Sequence, residues 1–114
     1  MSSPADLVLE DRDGSVVARL GGEVDMSNAA YVREQLLASM SNEALLLVLD
    51  ISGCRYLDSA GIEVLFDMSR RLARRRQELR IVMPPTSPLR RVIELTEVHT
   101  AAPVFESLEE ALSG

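Results

Sequence analysis

Six consecutive apolar residues, Ala44-Leu45-Leu46-Leu47-Val48-Leu49, constrain this chain more than any other feature. The run has no polar alternation, so it does not read as a strand with one wet face, and it is too short for a solitary helix. It directly follows an amphipathic stretch. A strand buried on both faces fits, and such strands belong to parallel sheets covered by helices. Asp50-Ile51-Ser52-Gly53 then falls at the carboxyl end of that strand.

The segments on either side agree. Leu7 to Leu9 and Val16 to Leu20 are short apolar runs separated by a loop with Asp13-Gly14 at its tip, a strong hairpin signal. Gly21-Gly22 breaks or bulges the second strand. Asp25-Met26-Ser27-Asn28 supplies helix N-cap residues, and Ala29, Val32, Leu36, Leu37 and Met40 then share one helical face. A second helix starts around Asp58-Ser59-Ala60-Gly61, with Ile62, Leu65, Phe66, Ser69, Leu72 and Ala73 as its inner stripe. Leu79 to Met83 reads as a further buried strand stopped by Pro84-Pro85. Ser87-Pro88 reads as an N-cap followed by Pro at the first helical position, opening a helix with Leu89, Val92 and Ile93 on its face. Val104-Phe105 is a short edge strand, and Ser107-Leu108-Glu109-Glu110 is a capping box for a terminal helix. The order β-β-α-β-α-β-α-β-α predicts an α/β domain whose sheet is parallel apart from the N-terminal hairpin.

Composition narrows the function classes. The 114 residues carry a net charge of -6, which disfavours nucleic acid as a direct partner. One Cys and one His exclude an internal disulfide, a thiolate metal cluster and any mechanism needing two imidazoles. No cofactor or metal is expected. The apolar run is far short of the ~20 residues that span a bilayer, and Met1 to Asp6 lacks the pattern of a signal peptide. A cytoplasmic protein with a flexible N-terminus over residues 1–6 is therefore expected. Every basic residue is Arg, and residues 70–91 hold eight of them against one acid. That stretch reads as a solvated helix face or as a patch for an acidic partner.

Chemistry-bearing motifs are few. The phosphate-cradling G-x-x-x-x-G-K-[ST] loop is absent, Gly21-Gly22 lacks dinucleotide-binding spacing, and Ser59 does not stand in G-x-S-x-G. No catalytic set is legible, and a non-enzyme is expected. Cys54 reads as a small apolar filler. What remains is the junction from Leu49 to Ile62. Ligands of open α/β sheets gather at such carboxyl edges. With Asp58 as N-cap, Ser59 is the first or second helical residue and its hydroxyl is exposed. The helix N-terminus favours negative charge there by roughly 0.3–1 kcal/mol. Ser59 is thus suited to carry a phosphoryl group, or else merely helps to cap the helix.

Leu20-Gly21-Gly22-Glu23-Val24-Asp25, Leu49-Asp50-Ile51-Ser52-Gly53 and Leu57-Asp58-Ser59-Ala60-Gly61-Ile62 resemble, in that order, the STAS domain of anti-sigma factor antagonists. Arg90 to Thr96 and Phe105 to Leu112 look like the family's closing helices. The resemblance spans residues 7–113 and implies a single STAS domain there. It implies a mixed four- to five-stranded sheet with about four helices, mostly on one face. It also implies partner switching. The unphosphorylated antagonist binds an anti-sigma factor that is a serine kinase of the GHKL type, freeing a sigma factor. The kinase phosphorylates the Ser of Asp-Ser-x-Gly, here Ser59, and the antagonist lets go. A PP2C-type phosphatase resets it.

The same resemblance places Asp25, Met26, Ser27, Asn28, Asp58, Ala60, Gly61 and Ile62 on the partner surface. Asp25 is implied either to orient the Ser59 hydroxyl or contact the kinase, or to cap the first helix. Asp58 carries the same two readings, and Ile62 is equally a core candidate. Ala60 stands where many relatives have a second Ser or Thr. STAS-like domains also serve as subunits of lipid-trafficking ABC transporters and other signalling assemblies, which is the alternative reading.

Overall fold

The computed structural model describes residues 5–114. Strands β1 (Asp6–Arg12) and β2 (Ser15–Val24) are followed by α1 (Ala29–Ser39), β3 (Leu46–Leu57), α2 (Ser59–Arg74) and β4 (Glu78–Val82). Helix α3 (Arg90–Leu95), a 3-10 turn at Val98–Thr100, β5 (Val104–Phe105) and α4 (Leu108–Ser113) complete the chain. The expected flexible N-terminus falls mainly on residues 1–4, which lie outside the described residues; Asp6 already belongs to β1.

The five strands lie in the order β1-β2-β3-β4-β5, with β1 and β2 antiparallel and the remaining pairs parallel. The hairpin turns on two residues, Asp13 at φ 44 and Gly14 at φ 87. Both sit in the left-handed region that a type I′ turn requires, which is why Gly follows Asp here. The strands run longer than their apolar cores, because Glu10, Asp11 and Arg12 pair across to Val17, Val16 and Ser15.

Period-two alternation divides the interior in two. Val16, Ala18, Leu20, Leu47, Leu49, Ile51, Leu79 and Ile81 face α1, α2 and α3. Val17, Val48 and Val82 face the other way and pack with Ala111 of α4. The larger cluster dominates; each fully buried Leu or Ile in it contributes about 1.5–3 kcal/mol relative to exposure.

Several boundaries differ from the sequence reading. Leu45 is exposed and Leu46 half-buried, so the continuously buried part of the apolar run is Leu47 to Leu49. Beyond Asp50, β3 does not stop; it continues to Leu57 alongside β2. From Ser15 to Val24 β2 takes nine steps, while its partner takes eleven from Leu46 to Leu57. Two register shifts, at Arg19/Gly21 and Gly22/Glu23, absorb the extra residues. Each shift turns the following side chains over. As a result Ile51, Cys54 and Leu57, spaced by three rather than two, all face the same core. In α2, Val64 and Met68 are buried and Ala73 is exposed, so the inner stripe differs by these three residues. Ser87 does not cap α3 directly. Its hydroxyl accepts from the Leu89 N–H at 3.1 Å within a preceding turn, and the helix begins at Arg90.

Much of the arginine-rich stretch is used internally. Arg70 pairs with Glu63 at 2.6 Å, Arg71 with Asp67 at 2.8 Å, and Arg75 donates to the Met40 carbonyl at 3.0 Å. Helix α2 ends in a Schellman motif: the Gln77 N–H bonds to the Leu72 carbonyl at 2.8 Å, and the Arg76 N–H to the Ala73 carbonyl at 3.1 Å. The buried Gln77 side chain then fastens this end by donating to the Ser41 and Ala44 carbonyls, each at 2.8 Å. The motif forces Arg76 to φ 58, a conformation that suits Gly. Arg76→Gly is expected to stabilise the fold by about 0.5–1 kcal/mol, read as a higher urea midpoint at unchanged slope.

Candidate functional site

The site forms where β2 and β3 end side by side. Val24 and Leu57 are register partners, so the loop 25–28 and the start of α2 leave the sheet together. The Asp58 N–H bonds to the Val24 carbonyl at 3.2 Å. The Asp58 side chain caps α2, accepting from the Gly61 N–H at 3.0 Å. Its second oxygen accepts from the Met26 N–H at 3.2 Å. One carboxylate therefore caps a helix and ties it to the neighbouring loop.

That loop is held from inside. Asn28 accepts from the Asp25 N–H and donates to the Glu23 carbonyl, both at 3.0 Å. The Asp25 carboxylate accepts from the Ser27 N–H at 2.8 Å and from the Ser27 hydroxyl. The Ser27 hydroxyl first, and then its N–H, hold the Asp25 carboxyl below the usual aspartate range. Asn28 stands at the N-cap position of α1 but makes no side-chain capping bond. The polar run that reads as a cap thus builds a rigid loop instead.

Ser59 is the first residue of α2 and is exposed. Its hydroxyl has no hydrogen-bond partner among the described residues, so Asp25 does not orient it in this state. Ala60 is half-buried, while Gly61 and Ile62 are buried. Gly61 has a steric reason to be glycine. A Cβ there would lie 2.8 Å from the Val24 carbonyl oxygen and 3.1 Å from Leu57. The first turn of α2 consequently lies directly against the end of β2. Ile62 belongs to the core and also lines a surface groove.

Two hollows flank Ser59 and its helix. A largely apolar groove of about 510 Å³ lies between α2 and α3, lined by Leu57, Ser59, Ile62, Phe66, Val92 and Thr96 among others. A smaller hollow of about 370 Å³ lies between α1 and α2 and includes Met26, Ala30 and Ala60. Met26 is 84% exposed at the rim of the second, and Leu95 of α3 is 69% exposed. The α3 wall of the groove is missing from the set of residues expected at the site. Its signal was the i, i+4 pair Val92 and Thr96 on one face of a short helix.

Other groups stay apart from this junction. His99 lies in the 3-10 turn and lines a different cavity with Met83, Arg90 and Glu94. Cys54 is buried, and burial pushes its thiol up, away from the reactive thiolate. No helix among the described residues is long and apolar enough to cross a membrane.

Comparison with known proteins places this geometry in context. A family model described as the STAS domain matches residues 6–111. The chain is 29% identical over 117 residues to the anti-sigma-F factor antagonist RsfB of Mycobacterium tuberculosis, covering all of this chain and 93% of that protein. It superposes on the crystal structure of an anti-sigma factor antagonist from Mycobacterium paratuberculosis with a TM-score of 0.85 at 28% identity, covering 99% of this chain and 97% of the other. The same fold occurs in the Bacillus protein SpoIIAA, solved in unphosphorylated and phosphorylated forms. Their TM-scores are 0.75 and 0.69 at 19% and 20% identity, covering 95% of this chain in both cases and 94% and 97% of the others.

Two outcomes follow from the site's geometry. Gly61→Ala is expected to destabilise the domain by about 1–3 kcal/mol in urea unfolding, although helix propensity alone predicts a gain. Asp25 stabilises the fold above the ordinary aspartate pKa, and that contribution disappears as pH falls through its lowered folded value. Asp25→Asn is therefore expected to flatten the acid limb of a melting-temperature profile below the ordinary aspartate range and to leave its shape near neutrality unchanged.

Proposed function

The chain belongs to the STAS-domain family, and from that premise we propose that it is an anti-sigma factor antagonist that switches partners through Ser59. The observation that carries this reading is a free, exposed hydroxyl at the first position of a 16-residue helix, beside an apolar groove and an exposed Met26. The unphosphorylated protein binds an anti-sigma factor of the GHKL serine-kinase type and so releases a sigma factor. It acts in the cytoplasm as a binding module and kinase substrate, not as a catalyst. The name of its relative RsfB supports the class of function. The two forms of SpoIIAA support a phosphorylation step on this fold.

In the proposed surface, Met26, Ser27, Ser59 and Ala60 touch the partner. Asp25, Asn28 and Asp58 position them, and Gly61 and Ile62 support them from below. The kinase transfers the terminal phosphoryl group of ATP to the Ser59 oxygen; the hydroxyl proton leaves to a base on the kinase, and ADP departs. The added charge is about -1.5 to -2. In a docked interface it would lie next to the Asp58 carboxylate and out of water. A buried, unpaired charge costs roughly 3–5 kcal/mol, which weakens binding on the order of a hundredfold to a few thousandfold. A PP2C-type phosphatase restores the hydroxyl.

The test uses the purified protein, its cognate kinase and ATP. Mass spectrometry is expected to find the phosphate on Ser59 alone. Ser59→Ala is expected to bind the kinase like the parent and accept no phosphate, and Ser59→Asp to bind at least about tenfold more weakly by calorimetry. Phosphate on another residue, or equal affinities for the two variants, would overturn the reading. Recovery with an ABC transporter ATPase and no kinase would point to the transporter-subunit alternative.

A further inference from the structure

Strand β1 is an edge strand, and its outer side has no partner strand among the described residues. Edges of this kind are usually blunted by charged side chains, Pro or a bulge; β1 carries charges at Asp6, Glu10, Asp11 and Arg12, but no Pro and no bulge. Here β1 pairs regularly with β2 over all seven residues, and Val8 and Leu9 are 53% and 41% exposed. Because Arg12 and Ser15 flank a two-residue turn, Arg12, Glu10, Val8 and Asp6 are the residues bonded to β2. The backbone groups of Leu7, Leu9 and Asp11 therefore point outward along the open edge.

We propose that this edge pairs antiparallel with β1 of a second copy of the chain, with Leu9 opposite Leu9 on the two-fold axis, giving one continuous ten-stranded sheet. The register follows from charge. Centring on Leu9 sets Asp6 opposite Arg12 of the other copy, twice per dimer, and Val8 opposite Glu10. No like charges face each other. Sliding by one step in either direction that keeps Leu7, Leu9 and Asp11 bonded brings Asp6 opposite Glu10, or Glu10 opposite Glu10, and directly opposed like charges destabilise a strand pair. In the chosen register Leu7 bonds to Asp11 of the other copy and Leu9 to Leu9, so every outward backbone group finds a partner. The exposed Leu9 side chains meet on one face, and the Val8 side chains come within diagonal reach on the other. Arg12 already bonds Glu10 through its Nε, which leaves its two terminal nitrogens for the incoming Asp6 carboxylate. Strand β2 separates this edge from β3, so both Ser59 hydroxyls stay open; the inference does not rest on the proposed function.

Sedimentation velocity of the full chain from about 1 μM to about 1 mM tests it. The expected result is a monomer–dimer equilibrium. Leu9→Lys, which sets two ammonium groups against each other on the axis, is expected to abolish the dimer. Asp6→Arg alone and Arg12→Asp alone are each expected to weaken it by roughly tenfold, since each reverses two cross-strand pairs. The doubly swapped chain is expected to regain most of the parent's dimer. Far-ultraviolet circular dichroism and urea unfolding establish that each variant is folded. Amide exchange gives a second readout: the Leu7, Leu9 and Asp11 N–H groups slow with concentration, while those of Val8 and Glu10 do not change. A monomer throughout that range overturns the proposal. So does a dimer indifferent to Leu9→Lys, or one that the double swap fails to restore.

Discussion

The Asp58 carboxylate is the interaction on which the site depends. One oxygen closes the first turn of α2 through Gly61, and the other holds the Met26 backbone. A capping carboxylate of this kind is worth about 1 kcal/mol to the helix. Its larger effect is geometric, because a single side chain fixes two segments that are 32 residues apart in the chain. The arrangement also requires the two segments to be close. Gly61 permits that approach, since any Cβ there would run into the Val24 carbonyl. Asp58 and Gly61 are therefore two halves of one device: one attracts, and the other removes the obstacle. Ser59 lies between them and is presented to solvent as a consequence, with the half-buried Ala60 beside it.

The level at which this device sits is set by the sheet. If β2 and β3 paired in perfect register from Ser15 and Leu46, Val24 would stand opposite Arg55, and α2 would start two residues away from its observed place. The two bulges bring Val24 and Leu57 together. They also keep Ile51, Cys54 and Leu57 on the core side, which anchors the end of β3 beneath the helix it feeds. Loops normally gain precision from a rigid scaffold. Here the scaffold is extended to the last residue before the cap, so almost no loop remains between strand and helix.

The fold was legible wherever local chemistry and tertiary packing agree. The Asp13-Gly14 turn, the buried centre of β3, the Asp58 cap and the Ser107 cap all carry their signal within a few residues. The same holds for the parallel order of the sheet, which follows from alternation. The second half of β3 was not legible, because a bulged strand replaces the period of two with a spacing of three that reads as a loop. The 25–28 segment misled for a different reason. Asp, Ser and Asn bond backbone groups equally well in a cap or in a turn, and only the packing of Asn28 against the Glu23 carbonyl selects the turn. At the site, Ser59 and Asp58 were placed by motif and by capping chemistry. The α3 wall of the groove was not, since its approach to α2 depends on contacts nearly thirty residues distant in sequence.

The same anatomy bears on how a phosphoryl group would be tolerated at Ser59. The Gly61 N–H is already engaged by Asp58, and the Ile62 N–H bonds to the Asp58 carbonyl at 2.9 Å. The Ser59 and Ala60 N–H groups have no partner within the helix, as at any helix start, and the helix dipole favours an anion beside them. In the free protein a phosphate thus meets two unspent donors and open water, which offsets repulsion from Asp58. In a docked complex it would keep the repulsion and lose the water. The loop is locked by its own Asn28 and Asp25 bonds, so it has little freedom to swing aside and relieve the clash. A rigid surface converts a local charge change into lost affinity instead of absorbing it as a local rearrangement. For a switch built this way, stiffness of the 25–28 loop matters as much as exposure of the serine.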